Sequence, residues 1–124
     1  MNRRLFRKSP LAKKARGKFR GYPLGTVAYY GSDNQVATKV AAGVIRVEGG
    51  DVDLMERWFF RDIDVRIDPQ INQEVVDFLD TQQVRSVVVS DRIIGCPHEE
   101  GIDYPEGQTC SQCPYWENRD RWTG

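Results

Sequence analysis

Apolar β-branched and aromatic residues first concentrate at Thr26-Val27-Ala28-Tyr29-Tyr30, which is the composition of a strand. Gly31-Ser32-Asp33-Asn34 carries turn chemistry. A second strand is predicted roughly from Val36 to Val47, ended by Gly49-Gly50. Together they read as a β-hairpin whose loop exceeds the two-residue minimum. Asp51 to Glu56 is ambiguous, and Trp58-Phe59-Phe60 is apolar and bulky. Ile63, Val65 and Ile67 then alternate with Asp62, Asp64, Arg66 and Asp68. That period of two predicts a strand with one wet face; the competing reading is an acidic loop. Asp68-Pro69 supplies an N-cap and a first-turn proline. Ile71, Val75, Phe78 and Leu79 follow on one helical face. The helix is expected to end near Gln83, and Val84 to Ser90 reads as a buried strand. A strand–helix–strand unit with a right-handed crossover packs these three elements.

The expected fold class is α+β: a small mixed β-sheet, made of the hairpin plus two more strands, packed by one main helix. Three segments are expected: a flexible basic arm over residues 1–21, the α+β body over 22–94, and a hook with its tail over 95–124. The arm has few apolar residues, too few to offset the entropy of ordering it. A short helix around Leu11–Lys18 would be marginal alone and is expected to form only on a partner. The length of 124 residues fits one domain. No apolar run approaches the ~18 residues of a membrane helix. The N-terminus lacks the apolar stretch of a secretory signal. A cytoplasmic location is the default, with a basic, acid-free mitochondrial-type presequence as the alternative.

Net charge is zero, from 18 basic and 18 acidic residues, but the charges are segregated. Residues 1–20 hold Arg3, Arg4, Arg7, Lys8, Lys13, Lys14, Arg16, Lys18 and Arg20 and no acid. Such a segment neutralises phosphates by releasing counterions, without reading sequence. Phe6, Phe19 and Tyr22 could stack on bases. These residues make DNA, RNA or the ribosome the expected partners. The bland readings are a solvated tail, or an arm that folds onto its own acidic body. Arg119 and Arg121, with Tyr115, Trp116 and Trp122, form a second basic–aromatic patch, in which Trp116 is expected to be core.

The three cysteines and the one histidine of the chain all lie within residues 96–113. The pattern is Cys96-x-His98, eleven residues, then Cys110-x-x-Cys113. Zinc takes four such ligands at tetrahedral corners. Pro97 and Pro114 stiffen the backbone beside ligands, and Gly101, Pro105 and Gly107 suit a loop that folds back to close the site. Three buried thiols with a stray histidine, or a redox C-x-x-C, are the competing readings. The latter lacks the strand-to-helix setting of a thioredoxin-like motif. His98-Glu99-Glu100 ahead of Cys110-x-x-Cys113 also imitates the zinc deaminases, with Glu100 as proton shuttle. The short gap leaves no room for their intervening elements, and Cys96 adds a fourth protein ligand that would shut out a catalytic water. A structural zinc is therefore expected.

Gly95-Cys96-Pro97-His98-Glu99-Glu100-Gly101-Ile102-Asp103-Tyr104-Pro105-Glu106-Gly107, with Cys110-x-x-Cys113-Pro114, resembles a signature of short uncharacterised bacterial proteins. Gly25-Thr26-Val27-Ala28-Tyr29-Tyr30-Gly31 resembles a second block of that family. The resemblance runs from about residue 22 to the end, implies a bacterial source, and brings no activity with it.

Three function classes remain. The first is a zinc protein associated with nucleic acid through its basic arm. The second is a protein-interaction domain with a purely structural zinc. The third is a metal-dependent nuclease, since hairpin, third strand, helix and fourth strand is also the opening order of ribonuclease-H-like enzymes. Asp91 and Glu74 could serve there, but the first strand offers no acid.

Overall fold

The computed structural model describes residues 3–17 and 19–117. Its elements in chain order are α1 (Arg3–Lys8), α2 (Pro10–Ala15), β1 (Leu24–Tyr30), β2 (Lys39–Ile45), β3 (Val52–Phe59), α3 (Pro69–Thr81), β4 (Ser86–Ile93) and a 3-10 turn at Pro114–Trp116. The strands form one sheet in the order β3-β2-β1-β4. β1 and β2 pair antiparallel as the expected hairpin, β3 adds antiparallel to β2, and β4 runs parallel to β1. The fold is thus the expected α+β class, a mixed sheet with one main helix. No described helix is long and apolar enough to cross a membrane.

Alternation along the strands decides which side is covered. Gly25, Val27 and Tyr29 of β1 sit opposite Val44, Ala42 and Val40 of β2, and this row carries α3. Gly25 lets the helix approach closely: a Cβ there would lie 2.8 Å from Leu79 Cδ2. On the same side Trp58 of β3 meets the Phe78 ring edge-on, centroids 6.0 Å apart. Asp68 caps α3 as expected, its carboxylate accepting from the Ile71 N–H at 2.8 Å. Ile71, Val75 and Leu79 are buried beneath the helix, so the helical face predicted from spacing is the one that packs.

Two expectations are corrected. The third strand is not at residues 62–68 but upstream, at Val52–Phe59. That strand is an edge exposed on almost every residue, so no half-buried period marks it in the sequence. Residues 63–67 form a turn. The Asp64 carboxylate accepts from the Arg66 N–H at 3.0 Å and from its guanidinium at 2.8 and 2.6 Å, which folds the chain back on itself. Asp64 and Arg66 are both buried, and Val65 N–H donates to Ala37 O at 2.9 Å. The expected solvated acidic face is therefore a buried ion pair at Asp64 and a helix cap at Asp68.

The second correction concerns residues 1–21. Those described, residues 3–17 and 19–21, do not form an extended, solvated arm: two short helices pack on the body, and the reading in which the segment folds onto its own domain is the one these residues follow. Ser9 caps α2 by accepting from the Ala12 N–H at 3.1 Å. Leu11 is 1% exposed, Phe6 and Ala12 are buried with it, and Phe6 meets Tyr29 edge-on at 6.1 Å. Three well-placed apolar side chains suffice to dock a segment whose average composition is basic, because burial acts on individual side chains.

Candidate metal centre

The end of the sheet builds the hook. Beyond β4, Ile94 N–H donates to Tyr29 O at 3.0 Å, and Gly31 N–H donates to Gly95 O at 2.9 Å. The chain is thus held along β1 up to the residue before Cys96. Cys110 and Cys113 stand on a turn, with Cys113 N–H donating to Cys110 O at 3.4 Å, and Trp116 N–H donates to Cys113 O at 3.1 Å. Trp116 is buried and its Nε1 donates to Gly31 O at 2.8 Å. Gly31 therefore receives both arms of the hook. A Cβ on it would lie 2.3 Å from Val36 O, so the backbone passes too close there for any side chain. Trp116 is core, as expected. Arg119, Arg121 and Trp122 lie outside the described residues.

The structure brings all four expected ligands together. The ligand atoms of Cys96, His98, Cys110 and Cys113 lie within 4.8 Å of one another. His98 Nδ1 stands 3.2, 3.4 and 3.5 Å from the sulfurs of Cys96, Cys110 and Cys113. Tetrahedral bonds of zinc length give a nitrogen-to-sulfur edge of about 3.6 Å. The observed edges are within a few tenths of that, and the cluster can hold a metal ion with Nδ1 as the imidazole ligand. Burial, then the neighbouring Cys113 and Cys110, pushes the Cys96 thiol well up. Burial does the same for Cys113. A dipositive ion held by Cys96, His98, Cys110 and Cys113 would reverse that preference by favouring the thiolates. His98 N–H donates to Cys96 Sγ at 3.3 Å, which steadies that sulfur.

Several residues serve this site without any mark in a motif. Lys39 opens β2, is 3% exposed, and donates through Nζ to Pro97 O at 3.0 Å. Its Nζ lies 3.5 Å from Glu99 Oε2, and 5.1 and 5.4 Å from the ring centroids of Tyr30 and Phe59. Arg57 of β3 donates to the other Glu99 oxygen at 2.9 Å. The sheet thus grips the Pro97–Glu99 segment on both sides of His98. The signal in the sequence was a lysine heading an otherwise apolar strand. Glu100, the shuttle in the deaminase reading, accepts from Gly107 N–H at 3.2 Å and closes the loop instead.

The nuclease reading finds its order of elements along the chain but not the chemistry. β1 carries no acid, and Glu74 is exposed on α3. Among the described residues, the Cys/His quartet is the only group of three or more metal-capable side chains. The expected nucleic-acid residues are spread over α1, α2 and the chain that follows. Arg3, Arg4, Arg7 and Lys8 stand on α1 and Lys13 and Lys14 on α2, while Arg16 caps α2 and donates to Arg7 O at 2.7 Å. Lys18 lies outside the described residues. Phe6 is buried and cannot stack on a base, while Phe19 is 63% exposed and meets Tyr22 edge-on. Comparison with protein-family models, curated proteins and solved structures found no match for this chain.

Proposed function

We propose that this chain is a zinc protein of the structural kind, and that the domain its zinc closes binds nucleic acid through the basic α1–α2 flank. The observation that carries the first half is the closed set of four protein ligands. Three thiolates and an imidazole match the softness and tetrahedral demand of zinc. With no corner left for water or substrate, the ion has no Lewis-acid work to do on a substrate. It ties Cys96 and His98, which follow β4, to Cys110 and Cys113, and so fixes the tail over the sheet end. Free thiols fit a reducing compartment, and the cytoplasm is the proposed location.

Charge segregation supports the second half. Arg3, Arg4, Arg7, Lys8, Lys13 and Lys14 are carried on two short helices docked to an acidic body, so they share one flank of the domain. Contact with phosphates is confined to that flank, since the rest of the domain repels them. A reading as a protein-interaction domain draws on the exposed apolar residues of β3, Val52, Leu54, Met55 and Phe59.

The test is elemental analysis of the purified full chain together with its binding to labelled DNA and RNA across salt. One zinc per chain, lost in Cys110→Ser, is expected. Salt-sensitive binding that weakens when Arg4, Arg7 and Lys8 are jointly neutralised is also expected. A metal-free protein sinks the first half, and salt-insensitive or absent binding sinks the second. Deleting residues 1–20 is the wrong test, because Phe6 and Leu11 belong to the core.

A further inference from the structure

Between α2 and the start of β4 lies a cavity of about 390 Å³, lined by Lys13, Lys14, Arg20, Arg85 and Ser86 among others, with no acidic side chain in its wall. Its cations come from separate pieces of chain. Lys13 and Lys14 stand on α2, Arg20 on the connection to β1, and Arg85 just ahead of β4. Arg85 belongs to the acidic body, so no run of sequence foretold its place among the arm's cations. Ser86 locks the arrangement: its hydroxyl accepts from Arg20 N–H at 2.7 Å and donates to Gly21 O at 2.9 Å. Lys14 is paired with Asp80 at 2.5 Å. Among the described residues no carboxylate pairs with Lys13, Arg20 or Arg85.

Cations gathered around one cavity repel one another unless an anion joins them. Guanidinium groups hold phosphate oxygens through two parallel N–H bonds, and an ammonium adds a point charge. We propose that this cavity is a phosphate-binding site that seats a backbone phosphate of nucleic acid, with Arg85 and Arg20 as the forks and Lys13 neutralising the remaining charge. The proposal rests on the nucleic-acid reading above and adds to it a defined seat and a residue outside the basic segment. One fixed phosphate seat beside α2 anchors the backbone at a defined point of the flank.

The experiment uses the full zinc-loaded chain and fluorescence anisotropy with labelled single-stranded and duplex oligonucleotides, from low to moderate salt. Arg85→Gln is compared with Arg61→Gln, an equal loss of charge at the hook end of the molecule, where Arg61 lies near Pro97 and His98. Both residues are exposed, so the fold tolerates the changes. Arg85→Gln is expected to weaken binding about tenfold and to flatten the salt dependence by about one released counterion, with Arg61→Gln unchanged. Equal effects of the two variants overturn the proposal. If Arg85→Gln is silent while neutralising Arg4, Arg7 and Lys8 weakens binding, the seat falls and the broader reading stands. Wild-type protein that binds no oligonucleotide fells both. Tighter binding to vesicles of anionic lipid than to any oligonucleotide overturns the choice of nucleic acid.

Discussion

Asp64 and Arg66 form a pair that the alternating pattern of their segment disguised. Burial by itself would raise the Asp64 carboxyl, but the hydrogen bonds and charge of Arg66 outweigh it and hold the group below its ordinary value. A depressed carboxyl contributes stability that is complete above the unfolded-state value of about 3.9 and is lost as pH falls through the folded value beneath it. Arg66 stays charged throughout, so protonating Asp64 removes the carboxylate charge that faces a buried guanidinium. Acid unfolding followed by circular dichroism is therefore expected to lose its steepest part in Asp64→Asn. At neutral pH that variant is already less stable, by about 3 kcal/mol, the usual cost of breaking a buried pair. An unchanged acid profile would show that the pair is solvated. The Cys/His quartet was legible at this scale because the chain concentrates its Cys and His in one short stretch. Lys39 was marked only by its place at the head of an apolar strand, which does not tell a lysine that solvates from one that turns inward to hold a loop carbonyl.

Among the elements, those with one buried face were readable and those without were not. α3 was read from its helical period, and the hairpin and β4 from their β-branched and aromatic composition, although Val88 of β4 is exposed where a fully buried strand was expected. β3 is an edge with both faces wet, so its residues obey no period. The alternation at residues 62–68 came from a turn built by Asp64. Lys39 joins two elements, β2 and the hook, and the consequence can be measured. Lys39→Met keeps the volume and apolar stem but releases Pro97 O and Glu99. Zinc competition with a chelator is expected to show affinity reduced about tenfold, the lower end of what outer partners of a metal site contribute. Affinity equal to wild type would mean that Gly31 and Trp116 alone position the ligands.

For the whole molecule, the segment most misread from composition is the first. Nine cations in twenty residues announce solvation, yet Phe6, Leu11 and Ala12 join the same core as Trp116, Cys110 and Cys113. Core and hook are thus one body, in which the α1–α2 segment and the Cys/His quartet share one set of buried side chains. Leu11→Ala is expected to lower stability in urea by about 3 kcal/mol, as for a leucine in a packed core. A change within about 0.5 kcal/mol, typical of surface sites, would mean that the N-terminal segment is detached.

The account turns on a closed four-ligand zinc, and X-ray absorption at the zinc edge of the purified full chain tests this most directly. It predicts three sulfurs at about 2.3 Å and one nitrogen at about 2.0 Å, with no oxygen in the shell. An oxygen ligand, or fewer than three sulfurs, would mean an open site and would contradict the structural role assigned to Cys96, His98, Cys110 and Cys113.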